Sequence, residues 1–323
     1  MAPLPQQALQ PTIAAIYAAW EANADTGNRP HLGASIIGRD CARDLWLTFR
    51  WAIAHKHSGR LLRLFDRGQR EEATFVAELR AAGVEVWETD PATGRQFEYR
   101  AIGGHFGLSL DGVGLGFYEA PKTPHSIEMK TSSDKLFVKL AKEGVETAKP
   151  EHYAQMQIGM HLSGLTRCFY IAVNKNTDQL YSERVRYDEV AALKLLEKAK
   201  RIIAAIEPPP KISERPDWYQ CRFCNHHALC HEQALPEANC RTCAHSTPEL
   251  DGDQRWSCAR YGCDLPVEVQ RQGGECPGHV FLPSLLPWQA VDADADAGWV
   301  EYLKEDGSVV RNGPTGVKSG ELR

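Results

Sequence analysis

Residues 107–131 read GLSLDGVGLGFYEAPKTPHSIEMKT. The last six form a strand pattern, in which side chains two apart share a face. Glu128 and Lys130 therefore project together, with Ile127 and Met129 on the opposite face. Asp111 ends the short alternating segment before them, and pairing of the two strands can bring its carboxylate to the same place. Two carboxylates with a carbonyl or a water suit Mg²⁺ or Mn²⁺. An adjacent ammonium can orient or deprotonate a water, and the metal can stabilise charge developing on a phosphoryl group. Taken singly, Glu-x-Lys is commonly a solvated ion pair and Asp-Gly commonly a turn. The order of the surrounding elements gives the set its meaning.

Before this stretch, residues 8–24 read as a helix with Ile13, Ile16, Tyr17 and Trp20 along one packing side. A second helix starts near Ser35 or Gly38 and carries CARDLWLTFRWAI. A third, RLLRLFDRGQREEATFVAELRAAG, ends at Gly83 in a C-cap position. VEVWETD and RQFEYRAI read as a hairpin across PATG. HFGLSLDG is the next strand, where Gly103, Gly104 and Gly107 allow close approach of backbone or DNA. His105 lies either near the site or on the surface.

After this stretch, SSDKLFVKLAKEG is an amphipathic helix offering Lys135, Lys139 and Lys142 to phosphates. KPEHYAQMQIGMHLSGL is a helix after Pro150. TRCFYIAVNK is a buried strand with Cys168 in the core, and LYSERVRY is its partner. A long helix follows from Asp188, its N-cap, and EPPPKISERP ends it as a stiff linker. In the tail, DADADAG reads as an acidic linker and WVEYLKEDGSVVRNG as a hairpin turning at Asp306-Gly307.

The 323 residues suffice for one large domain or two smaller ones, with an ordinary 43% hydrophobic content for the core. No apolar run reaches the length of a membrane span. MAPLPQQALQPT lacks the basic and apolar regions of a signal peptide, so a cytoplasmic protein is expected. A net charge of −5 excludes a generally basic nucleic-acid binder. Locally, Arg39, Arg43, Arg50, Lys56, Arg60, Arg63, Arg67 and Arg70 are set against only Asp40, Asp44 and Asp66. They form either a phosphate-binding groove or a solvated helical face. There is no G-x₄-G-K-[ST] loop, so any unwinding must come from a partner.

Ten cysteines in a cytosolic chain argue for metal rather than disulfides, and eight of them fall between Cys221 and Cys276. The first group is C-x₂-C-x₅-C: Cys221, Cys224 and Cys230, with His226, His227 and His231 expected to be peripheral. The second begins at Cys240-x₂-Cys243 and continues to Cys258, Cys263 and Cys276. It reads as a zinc-ribbon-like unit held by Cys240, Cys243, Cys258 and Cys276, where Cys263 or His279 could displace one ligand and His245 is an outside candidate. A segment so short and polar needs the metal to fold.

Helix, strand, Asp111, strand with Glu128-Met129-Lys130, then a Gln-bearing helix: this order resembles the PD-(D/E)XK nuclease superfamily. With the cysteines, the chain looks like the RecB-like branch that carries an iron–sulfur cluster, as in AddB-type and CRISPR-associated exonucleases. It also resembles the lambda-exonuclease and RecB-like recombination nucleases of phages and prophages. The resemblance covers roughly residues 31 to 232. It implies an α/β fold with a mixed central sheet flanked by helices, followed by the small Cys-rich unit. The expected division is 1–30 N-terminal helix, 31–235 nuclease domain, 236–287 Cys-rich unit and 288–323 hairpin and tail.

The resemblance also implies roles. Asp111 and Glu128 would hold Mg²⁺ or Mn²⁺, and Lys130 would position or activate the water. An acid on the third helix would stand near the metal, Glu72 or else Glu71. Gln155 and Gln157 lie about 200° apart on their helix, so only one can face the site. Gln157, with His161 where the family often has Tyr, fits the family spacing, and Gln155 is close behind. Cys41 would join Cys221, Cys224 and Cys230 around a 4Fe–4S cluster, with zinc as the rival metal. The expected activity is a metal-dependent DNA exonuclease with little sequence specificity, working beside a single-strand annealing protein or a helicase. A DNA endonuclease, a silent DNA- or annealing-protein-binding scaffold and an Fe–S redox protein are the alternatives.

Overall fold

The computed structural model describes residues 10–24, 28–54 and 56–322. The first two residues of the expected helix 8–24 and the rest of the stretch 1–9 lie outside them. In chain order the elements are α1 (Pro11–Ala22), β1 (Leu32–Gly33), α2 (Ala42–Phe49), α3 (Gly59–Ala81), β2 (Glu85–Trp87), β3 (Glu98–Ala101), β4 (Phe106–Ser109), β5 (Gly112–Leu115) and β6 (His125–Ser132). They continue with α4 (Asp134–Ala148), α5 (Pro150–Ser163), β7 (Arg167–Asn174), β8 (Leu180–Arg186), α6 (Glu189–Ala204), α7 (Tyr219–Arg222) and α8 (His227–His231). The C-terminal part holds β9 (Ser246–Pro248), β10 (Trp256–Cys258), β11 (Cys263–Asp264), α9 (Val267–Arg271), β12 (Gln289–Asp294), β13 (Trp299–Leu303) and β14 (Val309–Asn312).

The central sheet is mixed, in the order β2-β5-β6-β7-β8, with only β6 and β7 parallel. The period of two on β6 sorts its residues as the sequence implies. Ile127 and Met129 pack with Phe75, Val76 and Leu79 of α3. On the other face, Cys168, Tyr170 and Ala172 of β7 pack with Leu140 and Val145 of α4 and Met156 and Met160 of α5. Helices therefore cover both faces, as alternating strand and helix patterns require.

Two expectations about strands are corrected. VEVWETD and RQFEYRAI do not form a hairpin sheet: β2 pairs with β5, whereas β3 pairs with β4 in a separate sheet, β1-β4-β3. The Thr89–Gln96 bridge and the Asp90 N–H to Arg95 carbonyl bond at 2.8 Å remain of the hairpin. The chain crosses from the one sheet to the other between β4 and β5, and Asp111 sits at that crossing. DADADAG is not a linker either, because its first residues belong to β12, which pairs with β13. The β13–β14 hairpin turns at Asp306–Gly307 as expected, with Gly307 at φ 81°. In α1, Ile13 and Ile16 are exposed and only Tyr17 and Trp20 are half-buried, so the predicted packing side is only partly used.

The C-terminal cysteine-rich part shares a core with the preceding domain. Cys240, Trp256, Leu265, Leu282 and Leu285 belong to the same apolar cluster as Leu45, Trp46, Phe49, Phe106 and Ile202. Gly103 explains part of this docking. Its φ is +60°, and a Cβ there would lie 2.7 Å from the carbonyl carbon of Leu250. His105, neither surface nor site, is fully buried with Nε2 2.9 Å from the Glu249 carbonyl. Among the described residues no helix is long and apolar enough to cross a membrane.

Candidate active site and cysteine sites

The β5–β6 pairing puts Gly112 opposite Ile127, so Asp111 lies beside the middle of β6. Its Oδ2 accepts the Met129 N–H at 2.8 Å. Lys130 Nζ lies 3.7 Å from the same oxygen, donates to the Met129 carbonyl at 3.0 Å and contacts Glu128 Oε1. Glu128 is 3% exposed. Burial pushes its acid up to about 7; Lys130 opposes this, and Asp111 and Glu72 add to it. Burial would pull Lys130 down, but Glu128 and Asp111 outweigh it and hold the ammonium above its ordinary value.

Glu72 faces the same place from α3. Burial raises its acid, Asp111 raises it further and Lys130 opposes. Glu72 and Lys130 line one cavity of about 380 Å³. Three carboxylates thus converge on one ammonium. The surplus negative charge, in oxygen donors, fits a divalent cation of the Mg²⁺ type.

The two glutamines part as the helical angle requires, but not in the preferred sense. Gln155 Nε2 donates to Glu128 Oε2 at 3.1 Å. Gln157 turns away: its Nε2 donates to the Arg186 carbonyl at 2.9 Å and its Oε1 accepts the Asp188 N–H at 2.8 Å. His161, at the expected Tyr position, pairs with the Tyr187 hydroxyl at 2.7 Å. Family spacing favoured Gln157, but helix rotation against β6 selects Gln155. The variants should separate these jobs. Gln155→Ala is expected to lower cleavage about 10–100-fold, as for groups that orient a ligand. Gln157→Ala is expected to cost about 1–3 kcal/mol of stability through two unpaired backbone groups. The check is cleavage rate against thermal unfolding for each.

Of the other basic residues, Arg60, Arg63 and Arg67 lie exposed along α3, the solvated-face alternative. Arg50 is buried in the core, Arg39 is paired with Asp44 at 2.9 Å, and Arg70 with Asp66 at 2.7 Å. Lys135, Lys139 and Lys142 lie on the exposed side of α4. The lysines that line the cavity with Lys130 are Lys149 and Lys175; His152 lines it too, its ring on the hydroxyl of buried Tyr170. Motif spacing gave no signal for these four residues.

Cys41 caps α2, its sulfur accepting the Asp44 N–H at 3.4 Å. Cys221, Cys224 and Cys230, from α7, the loop after it and α8, line one cavity with Cys41, of about 690 Å³. Four thiols from distant parts of the chain on one cavity fit a thiolate-bound metal or cluster. His226 is not peripheral. Its Nδ1 lies 2.8 Å from Asp44 Oδ1, and the Cys224 thiol donates to the same oxygen at 3.3 Å. Asp44, Cys224 and His226 place three donor atoms within 4.8 Å. The sequence offered no reason to single out Asp44.

In the second set, Cys240 and Cys243 are buried, and Cys258 lies opposite exposed Cys263 across β10–β11. Burial pushes the Cys240 thiol up to about 12, and Cys243, Cys276, Cys258 and Cys263 each add to it. Burial likewise raises Cys243 to about 11, while backbone hydrogen bonds with His245 and Val280 pull the other way. His279 is removed as an alternative ligand: its nitrogens are taken by Ser319 Oγ at 2.7 Å and the Asn239 carbonyl at 2.9 Å. All ten cysteines are unbridged.

No family model matches the sequence, and no curated protein gives a significant match. Among solved structures the chain is similar to an alkaline exonuclease (LHK-Exo) from Laribacter hongkongensis, alone and in complex with dAMP. The identity is 18% and the TM-score 0.41, over 59% of this chain and 91% of that one. It is also similar to SSO0001, at 13% identity and TM-score 0.40, over 68% of this chain and 96% of that one.

Proposed function

We propose that the chain is a metal-dependent deoxyribonuclease, and an exonuclease of the phage recombination and repair type. The observation that carries this is the convergence of Asp111, Glu128 and Glu72 on Lys130, which lines one cavity with Glu72. Asp111 and Glu128, with Glu72 beside them, would hold Mg²⁺ or Mn²⁺. When bound, such an ion neutralises developing phosphoryl charge and makes a water more acidic.

The chain's own residues do the positioning. Gln155 holds one oxygen of Glu128 and so orients that carboxylate. The Met129 N–H does the same for Asp111. Lys130, held by Glu128 and Asp111, would position or activate the attacking water. A buried carboxylate set with fixed donors is already arranged before substrate arrives, which is where such sites gain rate.

The four thiols at Cys41, Cys221, Cys224 and Cys230 are read as ligands of a 4Fe–4S cluster, with zinc as the rival. Cys240, Cys243, Cys258 and Cys276 are read as a zinc site. Both would be structural, tying α2 and the C-terminal part together. The substrate is DNA without sequence preference, and an annealing protein or a helicase would supply the ends.

The test is digestion of end-labelled linear and closed circular DNA in Mg²⁺, Mn²⁺ or EDTA, beside Lys130→Ala. The expected result is metal-dependent loss of linear DNA only, absent in the variant. Cut circles would make it an endonuclease. Intact DNA with folded, metal-loaded protein would leave a binding scaffold in place of the enzyme.

A further inference from the structure

We propose that Lys175, His152 and Lys149 form a phosphodiester-binding wall, which holds a phosphate of the nucleic-acid strand next to the one that is cut. The proposal rests on the nuclease reading above and adds a substrate subsite to it.

The cavity has two unlike walls. Gln69 and Glu72 come from α3 on one side, and Lys130 comes from β6. Lys149 and His152, at the start of α5, and Lys175, at the end of β7, line the rest of it. On that side Lys130 is already held by Glu128 and Asp111, and Glu72 adds its charge beside them. On the second wall Lys149 has an acid, Glu151 at 3.6 Å. The Lys175 ammonium has no ion-pair partner among the described residues. Its own N–H donates to the Ser132 carbonyl at 3.0 Å, so the backbone is pinned while the side chain is left over.

His152 supplies the second unused donor. Its Nδ1 lies 3.0 Å from the Tyr170 hydroxyl. Tyr170 is fully buried and sits opposite Glu128 in the β6–β7 register, so it cannot follow the ring if the ring moves. Burial, then the charges of Lys130 and Lys149, push the imidazole down to about 3. It is neutral at neutral pH. Burial keeps the Tyr170 hydroxyl protonated, well above its ordinary value. A tyrosine that donates to Nδ1 leaves the proton of the neutral ring on Nε2. That N–H makes no hydrogen bond among the described residues and belongs to a cavity-lining side chain.

Two unspent donors beside a carboxylate-rich pole call for an anion from outside. The first turn of α5 adds the positive end of a helix to the same wall. A compact ammonium and a neutral N–H recognise phosphate oxygens and read no base edge, so the subsite holds a strand without regard to sequence.

The experiment is binding of a short fluorescent DNA duplex in EDTA, so that nothing is cut, over a range of salt. Lys175→Ala is expected to weaken binding about 5–10-fold at low salt. It should also reduce the slope of log affinity against log salt by about one phosphate contact. His152→Phe is expected to raise KM while leaving kcat within about two-fold, and His152→Gln, which restores a donor, to recover most of it. A purely structural histidine would lower thermal stability in both variants and leave KM alone. Unchanged affinity and salt slope in Lys175→Ala overturn the proposal, whether or not His152→Phe folds. Wild-type protein that never cuts, with weakened binding in Lys175→Ala, keeps the wall and removes the nuclease. Wild-type protein that cuts, with both variants binding as it does, removes the wall and keeps the nuclease.

Discussion

Glu128→Gln is expected to reduce cleavage by about three orders of magnitude while DNA binding in EDTA stays within about two-fold of wild type. The carboxylate is the most buried of the three acids and carries both the contact to Lys130 and the hydrogen bond from Gln155. An amide keeps the shape and removes the charge that would hold the cation. Loss of metal-borne stabilisation worth several kcal/mol gives a rate loss of that size. Stability should not fall with activity. Without metal, burial of the Glu128 charge costs more than the attraction of Lys130 returns, and Asp111 and Glu72 add to the cost, so neutralising it relieves the fold. Lys130 keeps Asp111 at 3.7 Å. The check is cleavage rate, thermal unfolding and DNA affinity on one preparation. A variant that cuts at the wild-type rate removes Glu128 from the metal site.

The second large effect is on folding. Arg241→Ala is expected to cost on the order of 3–5 kcal/mol. That should lower the melting temperature by on the order of 10 °C. Arg241 is fully buried and has no carboxylate partner among the described residues. Its donors go to Gln270 Oε1 at 2.7 Å, the Phe49 carbonyl at 2.9 Å and the Pro30 carbonyl at 2.9 Å. The guanidinium carbon lies 3.7 Å from the Trp51 ring centre and 4.7 Å from that of Trp256. The aromatic faces and three oxygens take the place of a counter-ion, which suits a flat, weakly hydrated guanidinium. Alanine leaves three unpaired acceptors and a void between rings.

The position also links the two cysteine sets. Arg241 lies inside Cys240-x₂-Cys243 and reaches Phe49, the last residue of α2, whose first turn is capped by Cys41. Arg50 extends the link, donating to the Arg241 carbonyl at 3.1 Å and to the Ala205 carbonyl at 3.2 Å. Arg241→Lys should recover little, because an ammonium cannot serve three acceptors spread over a plane. A melting temperature within about 2 °C of wild type in Arg241→Ala would show that the stack contributes little.

Much of the site could be read from residues 107–131 because strand geometry acts locally. On β6 the alternation alone sets Glu128 and Lys130 on one face and Ile127 and Met129 on the other. The strand before Asp111 joins the other sheet, and it is β5, starting just after Asp111, that pairs with β6 and brings the second carboxylate within reach. Cysteine spacing likewise marked two groups along the chain, and the structure gathers Cys41 with Cys221, Cys224 and Cys230 on one cavity.

What tertiary structure alone decided lies between elements. Helical geometry says that Gln155 and Gln157 face different ways, but not which of them meets Glu128; the rotation of α5 against β6 settles that. Local turn signals joined β2 to β3, whereas strand exchange between two sheets parted them. The pairs Asp44–His226 and His152–Tyr170 and the Arg241 stack join residues 182, 18 and 192 positions apart, for which no local pattern exists. Sequence by itself determined the direction of side chains within each strand and the clustering of thiols, because those follow from backbone period and spacing. The partners of buried charges were decided only by packing, because burial must satisfy each polar group with whatever the fold brings near.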